Sequence, residues 1–175
     1  FDRGTIAEGW LLAPLDLRLS IDDPYGAPSA AGAVEAILVA PDAESPLCRV
    51  DSAQAVPGRG LAGDRYFDGR GTFSSPGRGY ELTLVQADVL EELGLAPEEA
   101  RRNVVTRGID LNALVGRRFR IGDVECAGRR LAEPCAHLER LSRPGVIRPL
   151  VHRAGLRADI LAGGTIAVGD TVAAG

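Results

Sequence analysis

The sequence predicts a mainly β, barrel-like domain with a few short α-helices at its periphery, and three observations carry that prediction. Apolar residues alternate in many short runs, the period of half-buried strands. Glycine turns separate the runs, most plainly Gly122-Asp123 and Gly169-Asp170, each between two alternating segments. Helical periodicities are few and short, with no heptads, internal repeats or second core. A chain of 175 residues fits one domain that can bury a core without disulfides.

Residues 1–32 read as an N-terminal extension. Trp10-Leu11-Leu12 and the alternating Leu15, Leu17, Leu19 and Ile21 suit a strand, so residues 10–21 read as an added edge strand or a partner-facing segment, and Asp22-Asp23-Pro24-Tyr25-Gly26 opens a linker running to Gly32. Residues 33–175 carry the main domain. A strand over 34–39 stops at Pro41-Asp42, and 46–50 form a second extended piece, in which Cys48 reads as a small apolar packing residue. Gly58, Gly60 and Gly63 then shape a loop ending on Asp64-Arg65-Tyr66. Asp64 and Arg65 can pair with each other, or Asp64 can hold the loop while Arg65 faces an anion. Residues 67–79, rich in glycine, read as an excursion suited to a lid.

A strand over 81–85 leads into an amphipathic helix over 86–93, with Val89, Leu90 and Leu93 on one face and Gly94 as its stop. Pro97 at a first helical position, followed by Glu98 and Glu99, begins another short helix. It delivers Arg101-Arg102-Asn103 to a strand over 104–106. Two guanidiniums and a carboxamide at such a junction can form an anion-binding corner; the alternative is one solvated arginine and one paired with Glu98. Segments 118–121 and 124–126 form a hairpin around Gly122-Asp123. After a short helical piece at 146–151 and a strand at 158–161, Gly169-Asp170 reads as the turn of a second hairpin.

Composition narrows the chemistry. Every one of the 20 basic side chains is arginine, so a Schiff-base lysine, a Walker-type P-loop and a lysine aldolase are excluded, and pyridoxal phosphate is not expected to bind this chain. Arginine suits carboxylates and phosphates, although a lysine-free chain also reflects nucleotide bias. The net charge of −4 argues against a nucleic-acid partner. No apolar run approaches a membrane span and no signal peptide is visible, although the chain starts on Phe and has no Met. Three cysteines without a C-x-x-C pair speak against disulfides and structural zinc, and point to a reducing cytoplasm.

The chemistry centres on Arg129-Arg130-Leu131-Ala132-Glu133-Pro134-Cys135-Ala136-His137. Leu138 and Leu141, three apart, predict a short helix directly after Cys135. Unpaired N–H groups at a helix start, with arginine or protonated histidine nearby, favour a thiolate able to bind a soft metal or carry sulfur. His137 could orient or activate that thiol, and His152 is a weaker candidate; each is otherwise a solvated or packed histidine. The alternative for Cys135 is a buried, inert thiol.

With these pieces in order, the chain resembles the MOSC domain family, named after the C-terminal domain of molybdenum cofactor sulfurases, and most of all its small stand-alone bacterial members. The resemblance covers about residues 33–173. It rests on Gly-Leu-Ala-Gly-Asp-Arg-Tyr at 60–66, Arg-Arg-Asn-Val-Val at 101–105 and Gly-Ile-Asp-Leu-Asn-Ala-Leu-Val-Gly-Arg-Arg-Phe at 108–119. Glu-Pro-Cys-Ala-His at 133–137 and Gly-Gly-Thr-Ile-Ala-Val-Gly-Asp at 163–170 complete it.

The resemblance implies a MOSC-type β-barrel and a signature cysteine at Cys135. In relatives that cysteine is associated with carrying sulfur or with ligating the molybdenum of a pterin cofactor. By the same resemblance Asp64, Arg65, Arg101, Arg102 and Asn103 belong to the cofactor-binding set. The sulfurases mobilise sulfur with a separate pyridoxal phosphate domain, and the amidoxime-reducing relatives need an N-terminal partner region and electron donors; neither is recognisable here. Three readings stay open: a molybdenum-pterin or sulfur carrier served by a donor protein; a metal-free enzyme on a small anionic substrate, with Cys135 as nucleophile and His137 as base; and a non-catalytic binding module.

Overall fold

The computed structural model describes residues 31–73 and 79–175. Seven strands close on themselves into a barrel. Strand β1 (Ala31–Val39) hydrogen-bonds β6 (Val104–Arg107) along one edge. Along the other edge its first residues pair with β11 (Thr171–Ala174). From β11 the ring runs through β7 (Arg118–Ile121), β8 (Val124–Leu131), β9 (Leu156–Ala162) and β5 (Leu82–Gln86) back to β6. Closure leaves no open edge in the ring, which is how small antiparallel barrels avoid unpaired strands. Between the two, β2 (Cys48–Val50) hangs on the far end of β1. A separate small sheet joins β3 (Ser52–Val56), β4 (Gly60–Leu61) and β10 (Gly164–Ala167).

Two apolar layers follow from this topology. Inward-facing residues fill the barrel, among them Ile37, Leu84, Phe119, Ile121, Leu156 and Val172. The outward faces of β1, β5 and β6 are covered by α1 (Ala87–Glu92), α2 (Pro97–Ala100), α3 (Ala136–Leu141) and α4 (Ile147–Leu150), which bury Leu38, Val85, Val105, Leu90, Leu138 and Leu150. Strands covered on both faces read as continuous apolar runs, and β5 with its four consecutive buried residues is the example. It pairs parallel with β6, and α1 and α2 supply the crossover such a pair requires.

Three expectations change. The turn at Gly169-Asp170 is present, closed by Asp170 N–H donating to Ala167 O at 3.1 Å, yet its flanks are not a hairpin. β10 pairs with β3 while β11 enters the barrel, because Val34 and the turn exchange backbone bonds that pull the chain across. Cys48 is exposed rather than packed, since β2 lies outside the ring with its outer side in solvent. Ala31 and Gly32 belong to β1 rather than to a linker; a Cβ at Gly32 would sit 2.3 Å from Arg107 O, so only glycine allows the closing pairing there. The edge strand or partner-facing segment read at 10–21 and residues 74–78 of the excursion read as a lid lie outside the described residues.

A candidate anion-binding cleft around Cys135

Four segments converge beside the outer layer. The tail of β8 ends at Leu131, and residues 132–135 run extended into Cys135, which precedes α3 with φ −146° and ψ 169°. The cysteine is exposed, whereas Cys126 is sealed in the core, where burial pushes its thiol up to about 12. Opposite stand the Asp64–Arg65 loop, the α2–β6 junction with Arg101 and Arg102, and Arg157 on β9. A hollow of about 50 Å³ is lined by Cys135, Arg65, Arg101, Arg102, Arg157 and His137.

Each arginine is placed by a specific local device. Asp64 is buried; its Oδ1 accepts from Ala40 N and from Arg65 Nη1, both at 3.1 Å, and its Oδ2 from Tyr66 N. Asp64 thus fixes the loop and pairs with Arg65, and Arg65 also lines the hollow. Arg101 ends α2 in the left-handed region, φ 53°, where a bulky residue is an outlier. That turn sends its guanidinium to Ser45 O, with two bonds at 3.1 Å. Arg102, buried, donates to Ala154 O at 2.9 Å and Ala132 O at 2.7 Å. Beside Ala154, Gly155 holds φ +105°, and a Cβ there would lie 1.8 Å from Leu84 O. Glu98, the partner expected for one of these arginines, bonds Arg49 instead, at 2.7 Å.

The charges in the cleft are crowded. Burial lowers the Arg102 guanidinium to about 10, with repulsion from Arg157 next; the Cys135 sulfur acts in the opposite sense. Burial, then Arg65, lowers Arg101; burial, then Arg130, lowers Arg157. Such a site favours an anion.

Asn103 does not reach the cleft. Its amide donates to Leu38 O and its oxygen accepts from Thr83 Oγ1 at 2.9 Å, so it joins β1, β5 and β6. His137 lines the hollow, its ring edge-on to Phe73 at 5.5 Å. Its Nδ1 faces Arg140 at 3.1 Å, and since arginine only donates, Nδ1 accepts and the neutral ring carries its proton on Nε2. His152 is the mirror case. Its Nδ1 lies 2.7 Å from Glu133 Oε1, and its backbone N–H donates to Glu133 Oε2 at 2.9 Å. Those bonds, the backbone one first, hold Glu133 below the usual carboxylate range, so Nδ1 is the donor and Nε2 of the neutral ring is left as acceptor. His152 holds a φ of 60° to do this.

Beside this hollow lies a wider one of about 580 Å³, sharing Phe73, Glu133, Cys135 and Arg157 and adding Tyr80, Arg130, Leu131 and His152. Arg157 and Tyr80 escaped the sequence reading. The alternation of Leu156, Ala158 and Ile160 into the core was the available signal that Arg157 points outward.

Among the described residues no group of three or more His, Cys, Asp or Glu gathers as a metal cage, and no helix is long and apolar enough to cross a membrane. The family model described as the MOSC domain matches residues 81–173. The fold is similar to that of the YuaD protein from Bacillus subtilis, at TM-score 0.66 and 18% identity, covering 81% of this chain and 94% of that one. It is also similar to YiiM from Escherichia coli, at TM-score 0.58 and 17% identity, covering 82% and 69%, and to YiiM from Geobacillus stearothermophilus, at 0.61 and 12%, covering 82% and 75%. No curated protein matches the chain.

Proposed function

This chain belongs to the MOSC domain family, and from that premise we propose that it holds a molybdenum-pterin cofactor, or a sulfur-transfer intermediate, against Cys135. It would act in sulfur or molybdenum cofactor transfer, or as part of a molybdenum-dependent reductase with a separate sulfur or electron donor. The observation that carries the reading is that Cys135 shares one hollow with Arg65, Arg101, Arg102 and Arg157. An exposed thiol among guanidiniums suits a soft centre attached to an anionic carrier. The donor set fits a group that brings its own further ligands: Cys135 offers one sulfur, and the arginines offer N–H donors to a phosphate. When bound, that group would supply redox or sulfur-transfer chemistry. Arg102 and Arg65, fixed by their own bonds, would orient its charged end, and Cys135 would hold its reactive end. The free thiols suit a reducing, cytoplasmic setting.

Expression in a host that makes the cofactor, followed by molybdenum and persulfide analysis, tests this. Wild type should carry one or both, and Cys135→Ser should lose them. Equal content in the two proteins overturns the reading. The Glu133–His152 pair beside Cys135 favours a second reading, a metal-free thiol enzyme on a small anionic substrate. In it His152, whose Nε2 has no partner among the described residues, serves better than His137 as base.

A further inference from the structure

Strands β8 and β9 place Arg130 directly opposite Arg157 in register. Like charges facing each other across a strand pair are destabilising. No acceptor neutralises this pair: among the described residues neither guanidinium has a carboxylate or carbonyl acceptor, and the two share only cation–π contacts with the Tyr80 ring, each at 5.4 Å. The neighbouring arginine shows what relief looks like, since Arg129 Nε donates to the buried Asp159 at 2.6 Å. Asp159 also accepts from Gly79 N, which fixes the chain just before Tyr80. The fold thus neutralises Arg129, anchors Tyr80 and leaves Arg130 and Arg157 facing the wider hollow, with Phe73, Leu131 and Cys135 on its walls. Its volume of about 580 Å³ is that of a small-molecule site.

We propose that the wider hollow is a substrate site for a planar aromatic anion, its charge between Arg130 and Arg157 and its ring along Phe73, Tyr80 and Leu131. The site adjoins the tighter arginine hollow, and Cys135 and Arg157 line both. The inference deepens the proposed function and rests on it for the role of Cys135: one side takes the group bearing metal or sulfur, the other the molecule it acts on. Burial and Arg130 together depress Arg157, as expected where an anion is wanted. Phe73 is 42% exposed, an apolar ring left in solvent at the mouth.

The test uses 2-naphthoate as probe and the full chain in a Cys48→Ser background, so that Cys135 is the accessible thiol. Iodoacetamide modification of Cys135 is followed against naphthoate concentration. Naphthoate should protect saturably. Cyclohexanecarboxylate, charged but not planar, and 2-naphthalenemethanol, planar but neutral, should each need about tenfold more, a loss of about 1.4 kcal/mol. Arg130→Gln, at an exposed position, and Tyr80→Leu should weaken naphthoate protection by a similar factor, and Arg101→Gln should leave it unchanged. Equal protection by the neutral alcohol, or undiminished protection in Arg130→Gln, overturns the proposal. The cofactor reading fails separately: equal molybdenum and persulfide content in wild type and Cys135→Ser would sink it while naphthoate protection stood. Loss of protection in Arg130→Gln with content at the wild-type level supports the outer site as its own feature.

Discussion

Arginine behaves in opposite ways on two sides of this molecule. On the outer wall Arg107 holds Glu35 at 2.5 Å, Asp88 at 2.7 Å and Glu91 at 2.5 Å, and Arg49, Arg120 and Arg140 each hold a glutamate. The side-chain bonds to Glu35 first and Glu91 next raise Arg107, and the bond from Arg107 lowers Glu91. In the cleft only Arg65 meets a carboxylate, that of Asp64; Arg101 and Arg102 donate only to carbonyls, Arg130 and Arg157 find no acceptor among the described residues, and burial lowers three of these last four. Residue content cannot distinguish these cases, because every cation of the chain is arginine. Pairing can: a cation held against a carbonyl keeps its charge for a guest.

The largest break in this comparison comes from Arg102→Met. The buried guanidinium holds two carbonyls, so its removal leaves Ala132 O and Ala154 O without partners while relieving crowding with Arg157. The net cost expected in urea unfolding is about 2–4 kcal/mol. Wild-type stability would reduce the arginine to filler. Next comes the anion itself. Phosphate at ten times its dissociation constant should stabilise the wild type by about 1.4 kcal/mol over chloride at equal ionic strength. In Arg101→Gln that increment should shrink, and an increment identical in the two proteins would place phosphate elsewhere.

Glu133 sharpens the comparison, as a cleft carboxylate held by a histidine rather than an arginine. Its folded value lies below its ordinary 4.5, so the unfolded chain binds the proton more readily. Stability from this bond is therefore full above about pH 4.5 and fades as pH falls through the lower, folded value. Glu133→Gln should lower the melting temperature at pH 7 and converge on wild type toward pH 3. The exposed pair is screened, so the difference stays within about 1 kcal/mol. A gap that widens toward acid would reverse the assignment.

Much of the fold was legible because local chemistry agreed with it. Pro97 starts α2, Gly122 turns β7 into β8, and Cys135 stands just ahead of α3. The second hairpin was misread because Gly169-Asp170 satisfies every local rule for one, and only the long-range bonds of Val34 decide that its flanks part. Of the site, Cys135, Arg65, Arg101 and Arg102 were named from the sequence and do line one hollow. Asn103 was grouped with them by adjacency, yet a strand start turns successive side chains to opposite sides. Arg157 is distant in sequence from Arg130, and only strand register places them face to face.

The smallest effect belongs to the outer wall, at Arg49. Its bond to Glu98 is short, 2.7 Å, but the two side chains are 57% and 38% exposed. Water competes for both charges, and fixing two long side chains costs entropy, so Arg49→Ala should change stability by no more than about 0.5 kcal/mol. In 1 M salt, where the screening length is about 3 Å, even that difference should vanish. Arg102, linked to uncharged carbonyls and away from solvent, should respond little to the same salt. An Arg49→Ala loss as large as that of Arg102→Met, or one that survives high salt, would mean the outer pairs bear weight, and the contrast between the two sides would fail at its cheaper end.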